Sequence, residues 1–342
     1  NCKLILNGNK DEINKAKKIM VNLPKIPIFE EAYLEWTKNC SQFKHDRGYI
    51  NTALSDEEEN FPLAFSISSY TDIEQTERLL RAIYHPQNLY CIHIDIKSSF
   101  LFHNAVRSIA NCFPNVWIAT KLHKIKWGDI SVILPEISCM RDLLKYFKGK
   151  YKYFINLTGQ EFPLRTNFEL VKILKIFNGS NDITGSQLKS RVNYVWKHRW
   201  SKTYQQTVLY KTQQKKKPYE FLNLTFYKGE THGLFASKMT EFIIESKEGK
   251  TFFDWCKDTG HASEHYWNTL NYNKLFRAPG GYEAKNWVNV NNYQWPCNGK
   301  VVRGICIFGI EDVPWLSKRP ELFVNKFHLT YDYLGYDCLE EI

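Results

Sequence analysis

Residues 63–95 have the sequence LAFSISSYTDIEQTERLLRAIYHPQNLYCIHID, in which two apolar runs flank an amphipathic stretch. The first run, 63–67, predicts a buried strand, and the second, 89–95, predicts a strand that ends on the carboxylate of Asp95. Between them, Thr71 and Glu74 have the spacing of a capping box, which predicts the start of a helix. A strand, a helix and a strand within about 30 residues predict a βαβ unit with parallel strands.

Helical and strand-like patterns continue to alternate after this unit. Helices are predicted near 101–112 and 130–147, and strands at 116–119 and 153–157. Such alternation is typical of an α/β fold whose central sheet is mainly parallel, with helices on both faces. Beyond about residue 185 the pattern loosens into short strands and loops.

Ligands of such sheets bind beyond the carboxyl ends of the strands. No G-x-G-x-x-G follows the first strand, and no G-x-x-x-x-G-K-[ST] occurs anywhere, so dinucleotide oxidoreductases and P-loop NTPases have no support. Among the common α/β enzymes whose domain begins with such a βαβ unit, a nucleotide-sugar-dependent transferase remains. The candidate binding residues at this edge are Ser68, Ser69, Tyr70, Asp95 and Lys97.

The composition is that of a globular protein. The chain has 342 residues, 43% of them hydrophobic and 24% charged, which excludes a disordered tail, collagen or a coiled coil and leaves two domains or one large α/β domain. The formal charge of +10 favours anionic partners. The basic run at 215–217 is interpreted as a solvated loop, because no nucleic-acid-binding signature accompanies it, and no nucleic-acid partner is expected.

The cysteines and sequons point to the secretory pathway. Nine scattered cysteines without a CxxC pair give no support to a zinc site and favour an oxidising compartment with up to four disulfides. No apolar stretch reaches 18 residues, and the first residue is Asn1, so we expect that targeting elements have been removed. Four N-x-S/T sequons occur, and the one in a strand-like run, Asn156, is expected to be unmodified; the others are Asn39, Asn178 and Asn223.

Four segments carry a resemblance to a known family. Residues 78–95, 155–167, 302–309 and 323–327 resemble, in the same order, signatures of the core 2/I-branching β-1,6-N-acetylglucosaminyltransferases, glycosyltransferase family 14. The likeness covers roughly residues 35–340. It implies a GT-A-like, disulfide-stabilised fold, a Golgi type II membrane protein, and an inverting transfer that needs no metal.

The resemblance also implies a domain division and a disulfide map. We expect a stem-proximal segment, 1–60, whose acidic run at 56–59 is a solvated linker, packed on a catalytic domain, 61–342. Within that domain, 61–180 would be the nucleotide-binding half, and 181–342 would hold the acceptor site and the diphosphate-binding motifs. The implied disulfides are Cys2–Cys338, Cys40–Cys112, Cys91–Cys139 and Cys297–Cys306, with Cys256 left free.

Two cations are expected to take the place of a metal ion. No Asp-x-Asp follows a strand, and a D-x-E at 56–58 lies before the first strand, where we do not expect a metal site. Departure of a nucleoside diphosphate builds negative charge that something positive must stabilise. The family's diphosphate-binding Arg and Lys match Arg303 and Lys326, and Arg303 interrupts an apolar, strand-like run where an unpaired charge would be unfavourable.

The remaining site residues are assigned by the same resemblance. Glu264, in a segment with the pattern acid, any residue, aromatic, Trp, matches the family's general base. The residues implied to contact UDP are those at the ends of the first two strands and one tryptophan: Ser68, Ser69, Tyr70, Asp95, Ile96, Lys97 and Trp127. Ser68, Ser69 and Tyr70 differ in type from the mammalian residues, so they are expected to make their contacts through the backbone.

The acceptor end departs from the family pattern. Thr184, Val192 and Val195 stand where an acidic residue and a Lys/Arg pair bind the acceptor in family members that act on core 1 O-glycans. The family's Gly-Ser-Ala-Tyr-like stretch has become GETHG at 229–233. Tyr282 and Trp287 remain as candidate acceptor-binding aromatics. These departures leave room for an acceptor, and a donor sugar, different from those of the mammalian core 2 enzyme.

These observations predict transfer of N-acetylglucosamine from UDP-GlcNAc in β-1,6 linkage to an O-glycan of core 1 or poly-lactosamine type. One alternative is a relative that uses another UDP-sugar, such as a peptide O-xylosyltransferase or a glucosyl- or glucuronosyltransferase. A second is a non-catalytic secreted carbohydrate-binding protein, which needs neither Glu264 nor the pair Arg303 and Lys326.

Overall fold

The structure is a computed structural model that describes residues 1–186, 196–202, 207–217, 219, 224–282 and 296–341. Its strands are β1 Leu63–Ser69, β2 Leu89–Ile94, β3 Val116–Ile118, β4 Tyr153–Thr158, β5 Glu161–Pro163, β6 Trp196–Lys202, β7 Thr207–Lys215, β8 Leu234–Ala236, β9 Lys300–Val302, β10 Ile305–Ile307 and β11 Phe323–Asn325.

The described α-helices are α1 Cys2–Leu6, α2 Lys10–Asn22, α3 Glu30–Trp36, α4 Cys40–Asp46, α5 Asp56–Glu59, α6 Ile73–Ile83, α7 Phe100–Asn111, α8 Leu134–Phe147, α9 Asn167–Phe177, α10 Ser237–Glu245, α11 Lys247–Cys256, α12 Tyr266–Tyr272, α13 Val313–Leu316 and α14 Tyr333–Glu340. Short 3₁₀ turns occur at Ile130–Ile133, Ala262–Glu264 and Lys274–Phe276. None of the described helices is both long and apolar enough to span a bilayer.

The central sheet has the strand order β3-β2-β1-β4-β8. The strands β1 to β4 in it are parallel, with Ala64 opposite Leu89 on one side of β1 and Leu63 opposite Tyr153 on the other. Only β8 runs antiparallel, against β4. The mainly parallel sheet expected from the alternating pattern is therefore confirmed.

Helices cover both faces of the sheet. Alternate residues of β1 point to opposite sides: Phe65 lies in a core with α6 and α7 residues such as Leu79 and Phe102, whereas Ala64 lies in a second core with Met140 of α8 and Met239 of α10. Because both faces are buried, β1 and β2 are nearly continuous apolar runs.

The helix between β1 and β2 begins one residue later than the capping-box pattern predicts. Asp72, with φ of 59°, is the N-cap of α6, and its side chain accepts from the N–H of Gln75. Glu74 is not available to bond back to the cap, because its carboxylate pairs with Lys25 at 2.5 Å and accepts from the N–H of Ile28. The predicted cap at Thr71 is therefore wrong.

Residues 1–60 are mostly helical and pack on the sheet domain. Tyr33 of α3 is fully buried in the larger core, and its hydroxyl donates to Glu77 of α6 at 3.4 Å. The acidic run at 56–59 forms the short helix α5 rather than a solvated linker. Glu58 is buried there, because its carboxylate accepts from Nδ2 of Asn167 at 2.8 Å.

The second half contains more helix than the loosened sequence pattern predicts, from α10 to α14. The apolar run at 301–309 belongs to a hairpin formed by β9 and β10. Arg303 and Gly304 form its two-residue turn, both with positive φ (51° and 79°), the conformation of a type I′ turn. Arg303 is exposed, so the expectation that it interrupts a buried strand is wrong.

The basic run at 215–217 is also not a simple solvated loop. Lys216 is buried, and its ammonium bonds to Asp258 and to the backbone carbonyl of Trp255. The same ammonium lies over the Trp255 ring, 3.9 Å from the ring centroid. Lys216 therefore joins the end of β7 to α11.

Four disulfides are present, Cys2–Cys338, Cys40–Cys112, Cys91–Cys139 and Cys297–Cys306, and the remaining cysteine, Cys256, is buried with a free thiol. These are the same pairs that the resemblance implies. Of the sequons, Asn156 is buried with both ends of its amide hydrogen-bonded, which leaves no room for a glycan in the folded chain. Asn39 caps α4, Asn178 ends α9, and Asn223 lies outside the described residues.

Candidate active site

The carboxyl ends of β1, β2 and β4 meet at one edge of the sheet. The N–H of Asp95 donates to the carbonyl of Ser69 at 3.0 Å, and the N–H of Gly159 donates to that of Ser68 at 2.9 Å. Ser69 points into the fold, because its hydroxyl bonds to that of Thr76 at 2.6 Å. The hydroxyl of Ser69 is therefore engaged within the fold and not available to bind a ligand.

Asp95 forms a small turn at this edge. Its Oδ1 accepts from the N–H of Lys97 at 2.9 Å, and its Oδ2 lies 3.3 Å from the Lys97 ammonium. Ile96 is 55% exposed and its N–H donates to the carbonyl of His123. Tyr70, also 55% exposed, accepts from Nε2 of Gln160 at 3.5 Å. The structure therefore brings together the residues after β1 and β2 that the sequence singles out.

Lys326 lies at the same edge of the sheet, directly after the two-stranded ladder of β5 and β11. Strand β11 pairs with β5, and the N–H of Phe327 then donates to the carbonyl of Gln160 at 2.9 Å. Burial lowers the pKa of Lys326, and the nearby charge of Glu161 acts in the opposite direction. Among the described residues, no carboxylate lies within 4.0 Å of its ammonium. Within the described part of the chain, a half-buried cation thus lies without an ion-pair partner at the edge where ligands of such sheets bind.

Arg303 lies farther out. It is at the exposed tip of the β9–β10 hairpin, and the base of that hairpin meets Lys326, whose carbonyl accepts from the N–H of Phe308 at 3.0 Å. The disulfide between Cys297 and Cys306 ties the same hairpin to the chain before it. The structure therefore places the two expected diphosphate-binding residues on adjoining elements, one half-buried and one in solvent.

Glu264 lies in the 3₁₀ turn that precedes α12. Its Oε2 is 2.8 Å from the ammonium of Lys228, and its Oε1 is 3.9 Å from Nδ1 of His261. The side chain is 33% exposed, so its carboxylate is accessible to a substrate hydroxyl. Its carbonyl accepts from the N–H of Gly229 at 2.9 Å, which fixes the turn against the segment 228–233.

Trp127 lies beside the same turn. It is 80% exposed, and its ring meets that of His261 edge-on. The backbone adds a second link, because the N–H of His261 donates to the carbonyl of Gly128 at 2.8 Å. The segment from His123 to Gly128 therefore connects the Asp95 edge to the Glu264 turn.

A cavity of about 750 Å³ lies between the segment 228–233 and the strand β11. Its polar lining residues include Thr184, Glu230 and His232, and its apolar ones include Leu157 and Phe177. Thr184 takes part through its hydroxyl, which accepts from the N–H of Glu230 at 3.2 Å. The cavity has room for a sugar ring, and Glu264 is not among its lining residues.

Of the two candidate acceptor aromatics, the structure describes Tyr282, which does not line this cavity. Tyr282 packs edge-on against Tyr272, with ring centroids 5.3 Å apart, and lines a separate cavity of about 570 Å³. Trp287 lies outside the described residues, as do Val192 and Val195.

Sequence reasoning missed a cluster around Glu161. This carboxylate is buried and accepts from the N–H of Thr158 at 2.8 Å, from Nδ2 of Asn325 at 3.0 Å and from Nε2 of His232 at 2.9 Å. Burial acts to lower the pKa of His232, but the charge and hydrogen bond of Glu161, with Glu136 and Glu230 adding, raise it to about 9. The departure of 229–233 from the family pattern was the one signal that pointed to His232.

Behind this cluster lies Glu136 of α8. It is 4% exposed, and burial raises its pKa to about 7.

Within the part of the chain that the structure describes, no group of three or more His, Cys, Asp or Glu side chains is arranged to hold a metal ion.

Comparison with known proteins gives consistent matches. The family model described as "Branch: Core-2/I-Branching enzyme" matches residues 63–317. Over its whole length the chain is 32% identical to the human "Beta-1,3-galactosyl-O-glycosyl-glycoprotein beta-1,6-N-acetylglucosaminyltransferase", of which it covers 84%. It is 34% identical to the Bos taurus "Beta-1,3-galactosyl-O-glycosyl-glycoprotein beta-1,6-N-acetylglucosaminyltransferase 3", again over the whole chain and 81% of that protein.

Solved structures are more distant. The mannosyltransferase Ktr4p from S. cerevisiae matches with a TM-score of 0.28 and 11% identity, over 76% of this chain and 79% of that one. At this distance the likeness carries no further inference.

Proposed function

This chain belongs to the core-2/I-branching enzyme family, and we propose that it transfers N-acetylglucosamine from UDP-GlcNAc in β-1,6 linkage to an O-glycan acceptor of core 1 or poly-lactosamine type. The names of the relatives, at 32–34% identity over the full chain, support this donor, linkage and acceptor class. The chain is accordingly a glycosyltransferase.

We propose an inverting reaction in one displacement. The acceptor hydroxyl oxygen attacks C1 of the donor sugar, a new C1–O bond forms, and the bond from C1 to the diphosphate oxygen breaks with its electron pair going to UDP. Glu264 accepts the proton of the hydroxyl as general base. Its accessible carboxylate, next to the ammonium of Lys228, supports this assignment.

Lys326 and Arg303 are proposed to stabilise the leaving diphosphate without a metal ion. Preorganised charge at the position where charge develops is an effective form of transition-state stabilisation. The half-buried ammonium of Lys326 supports the proposal, because desolvation strengthens its attraction for an anion. Arg303, at the tip of the adjoining hairpin, would reach the diphosphate from the solvent side.

The uridine is proposed to lie along the edge formed by the residues after β1 and β2. Asp95 and the backbone of Ser68 would bind its polar groups, and Tyr70, Ile96 and Lys97 would flank it. Trp127 supplies an exposed ring on the side of Glu264, suited to stack against the base or the donor sugar.

The observation that carries the proposal is that one segment, 228–233, contacts both the turn of Glu264 and the cluster beside Lys326. The N–H of Gly229 donates to the carbonyl of Glu264, and the imidazole of His232 bonds to Glu161. Glu161 in turn accepts from Asn325, the residue before Lys326. The proposed base and the proposed diphosphate-binding cation are therefore linked through a single short segment.

A panel of UDP-sugars tests the proposal. The protein is incubated with UDP-GlcNAc, UDP-xylose, UDP-glucose or UDP-glucuronic acid and with core 1, poly-lactosamine or peptide acceptors, each with and without EDTA. We expect turnover with UDP-GlcNAc that EDTA leaves unchanged. Turnover with UDP-xylose alone, or loss of activity in EDTA, would overturn the assignment of the donor or of the cations.

The division at residue 60 and the location also remain proposals. We propose that 1–60 adjoins a stem, that 61–342 is the catalytic domain, and that the protein works in the Golgi lumen as a type II membrane protein. The four disulfides support an oxidising compartment.

A further inference from the structure

We propose that the imidazolium of His232 neutralises Glu161 and thereby leaves the ammonium of Lys326 free to bind the diphosphate of the donor. The inference rests on the proposed function of Lys326 and adds two positioning residues to it. Neither residue needs to touch the substrate.

The first observation is that Glu161 is a buried carboxylate held in one place. Thr158, at the end of β4, donates its N–H to Oε2, and Asn325 of β11 donates its amide to Oε1. These partners are neutral dipoles, which orient the carboxylate without cancelling its charge. A buried carboxylate also requires an opposite charge, because water no longer solvates it.

The second observation is that two cations compete for this carboxylate. His232 lies 2.9 Å from Oε1, whereas Lys326 follows Asn325 directly and is close enough for Glu161 to act on its pKa without an ion pair. If His232 were neutral, Glu161 would keep its full negative charge beside Lys326. An ion pair between Lys326 and Glu161 would then occupy the charge that the diphosphate needs.

The third observation is that the position of His232 is fixed from both sides. Asn156 donates its amide to the carbonyl of Thr231 at 3.0 Å and accepts from the N–H of Gly233 at 2.8 Å. The backbone on either side of His232 is therefore clamped to β4. Its imidazole faces Glu161 because of this clamp.

The charged groups around His232 favour its protonated form. Burial acts to lower its pKa, whereas Glu161, Glu136 and Glu230 all act to raise it. The imidazolium is thus present at neutral pH, so that the pair Glu161–His232 has no net charge. Lys326 contributes the remaining positive charge of the cluster.

A double-mutant cycle tests this arrangement. UDP affinity is measured by calorimetry, at pH 7, for the full chain, H232Q, E161Q and the double variant E161Q/H232Q. H232Q should weaken UDP binding about tenfold, because the freed carboxylate captures Lys326. E161Q/H232Q should restore affinity to within about threefold of the unmodified protein, since no carboxylate remains to compete. Additive losses, or an unchanged affinity in H232Q, would overturn the inference.

The exposed contact between His45 and Asp46, at 3.1 Å, provides the matched control. H45Q, D46N and their double variant should all bind UDP as the unmodified protein does. If H232Q does not fold, as judged by thermal unfolding, H232K takes its place. It keeps a positive charge and should retain UDP affinity within about threefold; a tenfold loss in folded H232K would refute the inference.

The result also separates this inference from the proposed function. If the unmodified protein fails to bind UDP, or if K326A binds it equally well, the proposed function fails. If K326A loses affinity while H232Q does not, only the role of His232 and Glu161 fails.

Discussion

The ring of Trp127 meets the imidazole of His261 edge-on, with 4.7 Å between the ring centroids. His261 lies in turn 3.9 Å from the carboxylate of Glu264. Through these contacts an exposed tryptophan and the candidate general base form one wall of the site.

Replacing Trp127 by alanine should weaken donor binding with little effect on folding. Its side chain is 80% exposed, so few packing contacts are lost, whereas stacking on a nucleotide is worth about 1–3 kcal/mol. We expect the KM for the donor to rise about tenfold with an unchanged midpoint of thermal unfolding. Tyr146, 54% exposed, serves as control, and Tyr146→Ala should change neither quantity. A large loss of stability in W127A would assign the ring a packing role instead.

The change Glu264→Gln should abolish transfer while leaving UDP affinity nearly intact. Glutamine keeps the shape of the side chain but cannot accept the proton, so kcat should fall by about 10²–10⁴. Turnover assays and calorimetry on the same preparation measure the two quantities. Glu245, an exposed partner of Lys148, provides a control that should remain fully active as glutamine. Unaltered turnover in E264Q would remove this residue from the mechanism.

Lys326→Ala and Arg303→Ala should both weaken UDP binding, by about 1–3 kcal/mol each, the scale of a lost charge-assisted hydrogen bond. The two variants should differ in their response to salt. Arg303 is solvent-exposed, so its contribution should shrink at high ionic strength, whereas the half-buried Lys326 is screened less.

Calorimetry at about 0.05 M and 0.5 M salt distinguishes the two cations. Lys300→Ala, on the same hairpin as Arg303, is the control and should bind UDP normally. Equal salt dependence of R303A and K326A would contradict the difference in burial.

Stability should depend on pH through His232. Burial acts to lower its pKa and Glu161 to raise it, and the result in the folded chain is about 9, above the ordinary value of 6.5. A group whose pKa is raised on folding stabilises the protein fully below the unfolded pKa, and this stabilisation is lost as the pH rises through the folded pKa.

Between pH 6.5 and 9.5 the free energy of unfolding should therefore fall by about 1–2 kcal/mol, allowing for the partial exposure of the ring. Urea titrations at several pH values measure this slope. H232Q should show a smaller slope over the same range, and an identical slope in the two proteins would be inconsistent with a raised pKa.

Much of the fold was predictable from local pattern. The apolar runs at 63–67 and 89–95 form adjacent parallel strands, because a strand buried on both faces needs unbroken apolar sequence. Asp95 could be placed at the edge of the sheet for the same reason. Such features depend only on neighbours in sequence.

The errors arose where the deciding partner is distant in sequence or where two local patterns compete. Lys216 is buried because its ammonium bonds to Asp258 and to the carbonyl of Trp255, which lie at another element. Glu58 is buried because Asn167 bonds to its carboxylate. At 301–309 the apolar composition indicated a single strand, and only the glycine at 304 favoured the positive φ of a turn.

The site followed the same rule. Asp95 and the residues after β1 were placed by the strands that precede them, and Glu264 and Lys326 by resemblance to a family. Glu161 and His232 were missed because their contact joins β5 to the segment before β8, and no spacing within either segment reveals it.

The bond between Cys2 and Cys338 has a consequence for engineering. It holds the two ends of the fold side by side, so a short peptide could link them and new ends could be opened in a surface loop, giving a circular permutant. In such a permutant a peptide rather than a disulfide joins the two original ends. The permuted protein should therefore tolerate reducing agents better than the natural chain does.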